Sequence, residues 1–398
     1  MLGLIWRFFA SVLDWRLFLR RLRGDSSFEV VFIANIRDSI DKKRFLANWI
    51  PPLGHFNGPK YYFRGVSGRT RAIFSLTEDI QHNRTSQTAK VQCISAIEYV
   101  QERGAKVILL AASTKRLFGS EGKEIKEMFP NLFFTIGDNG TFFLLLCETL
   151  RAFNKSNLLP GKSRICVIGP YGFLGELMVR HLVSKGYDVV GVGSSEAKLK
   201  KLNKEYGIEF ATSFGEVGKV DAVVACTHSN AVRLKKDTIH LIRRDDRKLL
   251  VIDVSEPNNL VESEYELSKD FIVRQDAGNG YSPKLKYVLG FITYKMFRLT
   301  QGITFGCFME ALVLRKAMKD DSDNKELKSL DFFNVNDENI KIISELFTKY
   351  DVHIPNPKCF GKKVKSFDLY LPSVCGKEHL DRYYEAEVAL EEDESKIF

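Results

Sequence analysis

A chain of 398 residues with 44% apolar and 27% charged side chains is long enough for two folded domains and too apolar to be disordered. Its seven cysteines are scattered, with no Cys-x-x-Cys and no histidine pair at ligand spacing, so no metal site and no secreted disulfide framework is expected, and a reducing cytoplasm is. Fifty-nine Lys and Arg against 50 Asp and Glu leave a net charge of +9, which favours an acidic partner such as nucleic acid, an anionic lipid or an acidic carrier protein.

Residues 1–24 mix apolar side chains with five arginines and one aspartate. Arg7 and Arg16 interrupt any apolar run long enough to span a bilayer, and no small-residue cleavage site follows a clean apolar core. On a helical wheel Arg7, Ser11, Asp14 and Arg21 share a face, while Leu4, Phe8, Val12, Trp15 and Leu19 gather elsewhere. The segment reads as an amphipathic helix. Two placements stand: on a membrane surface, which makes the protein peripheral to the inner face of the membrane, or packed on its own domain or a second subunit.

Residues 25–158 read as an α/β unit of the kind that binds substrate ahead of a nucleotide domain. Phe28–Asn35, Lys106–Ala112 and Leu132–Gly137 have the composition of strands, and Ser86–Arg103 that of an amphipathic helix. A strongly apolar helix follows over Phe142–Phe153, with Asp138 or Asn139 as its natural cap. Pro160-Gly161-Lys162 makes the hinge into the next domain.

Residues 159–290 carry the most specific pattern. A β-branched strand runs into Gly169, Gly172 and Gly175 and then a helix, Glu176–Lys185, as a doubly wound fold arranges a dinucleotide site. One glycine allows the turn, one lets backbone approach the pyrophosphate and one lets the helix pack on the sheet, while the helix N-terminus faces the phosphates. Tyr171, Phe173 and Leu174 fall inside this loop, and Pro170 removes one N–H that could bind pyrophosphate. The next strand, Asp188–Gly193, ends on Ser194 and Ser195 with Lys198 nearby, where a ribose-binding acid is usual. Hydroxyls and a lysine suit a 2′-phosphate, so NADPH is expected over NADH. Further strands at Asp221–Cys226, Leu249–Val254 and Phe271–Arg274 complete a parallel sheet, and Thr227 at the end of the first of these joins the cofactor set. His228 is a candidate acid or base beside a core or surface role.

Residues 291–398 turn helical and end in an acidic, solvated tail, Glu385–Glu394. In Gly302–Lys316, Cys307 falls in the first turn of a helix with Thr304 as a possible cap. A cysteine there gains from the helix dipole and free N–H groups, both favouring thiolate, and the same groups could hold an oxyanion. A small buried hydrophobe is the other reading of this residue.

The chain resembles the long-chain acyl-[acyl-carrier-protein] reductases, NADPH-dependent enzymes that form fatty aldehydes. Phe32-Ile33-Ala34-Asn35, the segment Phe134–Thr141, the loop Gly169–Gly175, and Ile252-Asp253 with Pro257–Leu260 follow in the family's order. Phe305-Gly306-Cys307-Phe308-Met309-Glu310-Ala311 is similar to the family's Phe-Ala-Cys-Phe-Ala-Glu-Ala, and Ile343–His353 to its closing helix. The resemblance implies Cys307 as the catalytic nucleophile, with Gly137, Asn139 and Thr141 at the reacting carbonyl and an acyl-carrier protein or acyl-CoA as substrate, not a nucleic acid. It also implies a fatty acyl channel for which the apolar helix 142–153 is available. Asp276–Tyr281 departs from the family, lacking its glutamate and histidine. Lys115-Arg116, Lys235-Lys236, Arg243-Arg244 and Lys362-Lys363-Lys365 are candidate docking points for an acidic carrier. Two rivals share the two-domain plan: an NADP oxidoreductase of the shikimate dehydrogenase or glutamyl-tRNA reductase type, and a non-catalytic membrane-associated adaptor on a Rossmann scaffold.

Overall fold

The structure, a computed structural model, describes residues 28–371 apart from 47, 82, 120, 228, 230, 288–298, 322–326 and 328. The amphipathic segment 1–24, His228 and the acidic tail lie outside the described residues. Among the described residues no helix is long and apolar enough to cross a membrane.

The first unit opens on β1 (Val30–Ile36), a run of β-branched and aromatic residues buried on both faces. A hairpin follows, β2 (His55–Phe63) and β3 (Val66–Leu76), antiparallel across Arg64-Gly65, both at positive φ. No sequence pattern announced this hairpin, because Lys60, Arg69 and Arg71 occupy buried strand positions and break the apolar run. β4 (Val107–Leu110) and β5 (Phe133–Thr135) extend the sheet, with β1 paired in parallel to both β3 and β4. Alternation along β1 sends Val30 and Phe32 to one core and Val31 and Ile33 to another, the latter packed on the helix Asn83–Gln101.

The second unit is a six-stranded sheet of β6 (Arg164–Ile168), β7 (Asp188–Val192), β8 (Glu209–Ala211), β9 (Ala222–Ala225), β10 (Leu249–Asp253) and β11 (Ile272–Asp276). Its spatial order is β11-β10-β9-β6-β7-β8, with β10–β9, β9–β6, β6–β7 and β7–β8 parallel. Counting from β6, that is the 6-5-4-1-2-3 order of the doubly wound Rossmann fold, so the expected α/β class holds. Asp253, at the end of β10, is fully buried against Arg274 at 2.9 Å and takes the N–H groups of Ser255, Asn259 and Leu260. It therefore closes a loop.

The chain then returns to the first unit. β12 (Asn279–Tyr281) pairs antiparallel with β14 (Ile303–Phe305), and β13 (Leu285–Tyr287) pairs with β2. The helix Gly306–Asp320 lays Phe308, Met309 and Leu312 on the face that carries Val30 and Phe32, with the rings of Phe32 and Phe308 stacked 4.1 Å apart. The expected division at 158/159 and 290/291 is thus not the one observed. The described residues up to Thr149 form one unit with Asp276–Lys363, and Leu150–Gln275 form another with the described residues from Val364. Strand pairing and aromatic burial draw the described residues between Leu299 and Lys363 into the first unit.

Candidate functional site

In the first unit, the end of β5 turns through Gly137 at φ +73° into the helix Asp138–Lys155. The Gly137 carbonyl accepts both the N–H and the hydroxyl of Thr141, at 3.2 and 2.8 Å. The helix therefore starts four residues before the expected Phe142, and Asp138 and Asn139 lie in its first turn instead of capping it.

That turn meets the start of the helix Gly306–Asp320 at backbone contact. A Cβ placed on Gly137 would stand 2.2 Å from the Cβ of Cys307, and one on Gly140 would stand 2.9 Å from the Cβ of Glu310. Glycine is required there for close approach. Thr304 is not the cap: it lies in β14, and Phe305 precedes the helix without a side-chain cap.

Four polar side chains, Thr135, Glu310, Lys115 and Asp138, converge where the helix starts meet. Glu310, 0% exposed, accepts the hydroxyl of Thr135 on one oxygen and the Gly140 N–H on the other at 2.6 Å. Thr135 Oγ1 in turn accepts the Gly137 N–H at 2.9 Å. Burial pushes the Glu310 carboxyl up to about 7 against the pull of these two hydrogen bonds. Lys115, in a 3₁₀ turn after β4, reaches Asp138 at 2.5 Å, and both side chains are largely buried, at 17% and 8% exposure. Lys115 is thus part of this site and not an open docking cation.

Cys307 sits among these charges. Burial pushes its thiol up to about 12, Asp138 and Glu310 add to the rise, and Lys115 and the Phe308 N–H oppose it. Cys307 is half-buried, and removal from water there opposes the helix dipole that favours thiolate. Of the residues expected at the carbonyl, Gly137 touches Cys307, and Thr141 is bonded to Gly137. Asn139 is buried and turned away, its amide donating to the Asn334 carbonyl at 3.2 Å. From sequence alone Lys115 reads as a docking cation, Asp138 as a cap and Glu310 as part of a motif. An acid opening an apolar helix, and a lysine just past a buried strand, were the available signals.

In the second unit the expected cofactor residues gather at the carboxyl ends of β6, β7 and β9. Gly169, at φ +76°, and Gly172 close a turn through a 3.1 Å bond from the Gly172 N–H to the Gly169 carbonyl. Pro170 takes the second position of that turn, where its missing N–H is not used. The helix starts at Phe173, three residues before the expected Glu176, so Phe173, Leu174 and Gly175 form its first turn. A Cβ on Gly175 would lie 2.1 Å from the Gly169 oxygen, and one on Gly169 would lie 2.7 Å from the Cβ of Thr227. Ser194 and Ser195 follow β7, and Lys198 lies in the next helix, Glu196–Tyr206. A turn with glycine at both ends, beneath a helix N-terminus, is a cradle a dinucleotide pyrophosphate fits, and Gly193-Ser194-Ser195 presents no carboxylate to repel a phosphorylated ribose.

The second unit is accordingly a doubly wound domain of the Rossmann type. Residues 154–276 match the family model described as shikimate / quinate 5-dehydrogenase. No curated protein matches the chain. Among solved structures, the chain is similar to CAD from Helicobacter pylori, solved with NADP(H), at 17% identity over 34% of this chain and 38% of that one, with a TM-score of 0.27. The nucleotide-binding domain of glutamyl-tRNA reductase from Thermoplasma volcanium aligns at 17% identity over 31% of this chain and 88% of that one, with a TM-score of 0.23. L-tryptophan dehydrogenase from Nostoc punctiforme aligns at 10% identity over 80% and 88%, with a TM-score of 0.35. The chain spans less than two thirds of the length of the Helicobacter protein.

Proposed function

We propose that the chain is an NADPH-dependent oxidoreductase acting on a carbonyl or the corresponding alcohol, with Lys115 and Asp138 handling the proton. The observation that carries this reading is the 2.5 Å Lys115–Asp138 pair, held largely out of water beside a glycine turn. When bound, NADPH supplies a hydride; Gly169, Gly172 and the start of the helix Phe173–Ser184 would hold its pyrophosphate. Ser194, Ser195 and Lys198 favour the phosphorylated cofactor. As hydride reaches a carbonyl carbon, negative charge grows on its oxygen, and an ammonium group can both stabilise that charge and give up a proton. Asp138 orients Lys115 through their ion pair. The match of residues 154–276 to shikimate and quinate dehydrogenases supports this chemistry.

Cys307 favours a second reading, the acyl-thioester reduction implied by the resemblance. Its sulfur would attack the thioester carbonyl, releasing the carrier as a thiol and leaving an acyl-cysteine; hydride would then release an aldehyde and restore the cysteine. Because burial raises the thiol, attack calls for a proton acceptor, and Asp138 and Glu310 are the carboxyls nearest in effect to the sulfur.

One pair of variants separates the readings. NADPH oxidation is followed with small keto acids and with acyl-CoA, and the protein is mass-analysed after acyl-CoA alone. Lys115→Met abolishing turnover while Cys307→Ser keeps most of it supports carbonyl reduction. An acyl adduct on Cys307, with turnover lost in Cys307→Ser, supports the thioester route and overturns the first reading. Absence of NADPH binding overturns both.

A further inference from the structure

Tyr171, in the glycine turn of the second unit, holds a position that cofactor binding by the loop leaves unexplained. Its ring folds over the end of β7. The phenol oxygen accepts the backbone N–H of Ser194 at 3.0 Å and of Ser195 at 3.3 Å, and lies 3.3 Å from Ser194 Oγ. Lys198 Nζ stands 5.4 Å from the ring centroid.

The strand end is shaped to receive it. A Cβ on Gly193 would fall 2.4 Å from Cε1 of Tyr171, and one on Gly191 would fall 2.9 Å from Cγ of Pro170. Positions 191 and 193 are two apart and share a face of the strand. Two bare backbone positions thus make the groove into which Pro170 and Tyr171 drop.

The amides of Ser194 and Ser195 point from the carboxyl end of β7, just ahead of the N-terminus of the helix Glu196–Tyr206. A dinucleotide whose pyrophosphate rests on the neighbouring glycine turn lays its adenosine ribose at this strand end. A 2′-phosphate there would draw on those amides, and in this structure Tyr171 accepts both of them.

We propose that Tyr171 is a latch on the adenosine-ribose subsite and sets the preference between phosphorylated and unphosphorylated dinucleotides. The inference rests on the cofactor reading above. The free chain pairs Ser194 and Ser195 with its own phenol, and a 2′-phosphate must displace that phenol. Only the released fraction of molecules is competent for the phosphorylated cofactor, which lowers its apparent affinity. A dinucleotide lacking the phosphate has less to gain from the release.

The test is equilibrium binding of NADPH and of NADH, read by nicotinamide fluorescence, on the wild-type chain and on Tyr171→Phe, which keeps the ring and removes the oxygen. Loss of two hydrogen bonds to the phenol is expected to tighten NADPH binding about fivefold to tenfold and NADH binding less than twofold. Tyr171→Ala, with the ring also gone, should show the same ordering, and far-ultraviolet circular dichroism confirms that each variant is folded. Weaker NADPH binding in Tyr171→Phe, or an equal change for both nucleotides, overturns the latch and leaves the cofactor reading standing. Failure of every form to bind either nucleotide overturns the cofactor reading and the latch with it.

Discussion

Lys115 Nζ lies 2.5 Å from Asp138 Oδ2, joining the segment that follows β4 to the first turn of the helix that follows β5. Removing one member of such a pair strands the other charge out of water. Lys115→Met is expected to lower the free energy of unfolding by about 3 kcal/mol, measured by urea denaturation, and Lys115→Met with Asp138→Asn to recover part of it. A single-variant cost below about 0.5 kcal/mol would show the pair to be solvent-screened and would weaken its claim as proton donor.

Gly137 combines a positive φ with backbone contact to Cys307. Gly137→Ala adds a methyl group where there is no room and in a conformation that alanine avoids. A loss of about 2–4 kcal/mol is expected from chemical denaturation. Little change in midpoint would mean that the two helix starts are not held together.

Glu310 ties the same turn down, and its carboxyl rises from the ordinary 4.5 to about 7 on folding. Between those values the folded chain holds a proton that the unfolded chain releases, so stability falls as pH rises through the window. The loss is on the order of 3 kcal/mol between pH 5 and pH 8. Glu310→Gln should flatten this part of the profile, and a parallel decline in both proteins would rule out Glu310 as its source.

Cys307 gives a pH prediction of its own. With the thiol pushed up to about 12, alkylation by iodoacetamide should be slow at pH 7 and climb steadily to pH 10, followed by peptide mapping. A plateau already reached by pH 7 would reveal a thiolate and favour the thioester reading.

In the second unit, Gly175→Ala drives a methyl group into the Gly169 carbonyl, which is backbone and cannot swing aside. NADPH affinity should drop at least about tenfold as the turn opens, with helix content preserved. Unchanged affinity would place the pyrophosphate elsewhere.

The Rossmann half was legible because its signals are local. Apolar runs such as Arg164–Ile168 and Asp188–Val192 each end on a glycine, the first of which opens the turn, and neighbouring strands follow at short spacing. The first unit hid more. The hairpin β2–β3 carries buried cations, whose burial depends on distant partners such as His55 and Tyr99 beside Arg71. β13 is only three residues long and becomes a strand by pairing with β2. The site followed the same rule. Cys307 and Gly137 stand in local motifs that a sequence displays, whereas Lys115, Asp138 and Glu310 come together only when separate segments meet. The burial that raises the Cys307 thiol is likewise not readable along a sequence, whereas a helix dipole is.

The paired glycines at 191 and 193 also bear on how this protein could change its cofactor. Engineers commonly convert such a domain by writing an aspartate at the tip of the second strand, which grips a bare ribose and rejects a phosphorylated one. At residue 193 that substitution would collide with the aromatic ring of Tyr171 before it met any nucleotide. Conversion here is therefore a two-step path through position 171, and a single exchange at 193 should yield a chain that grips neither form well.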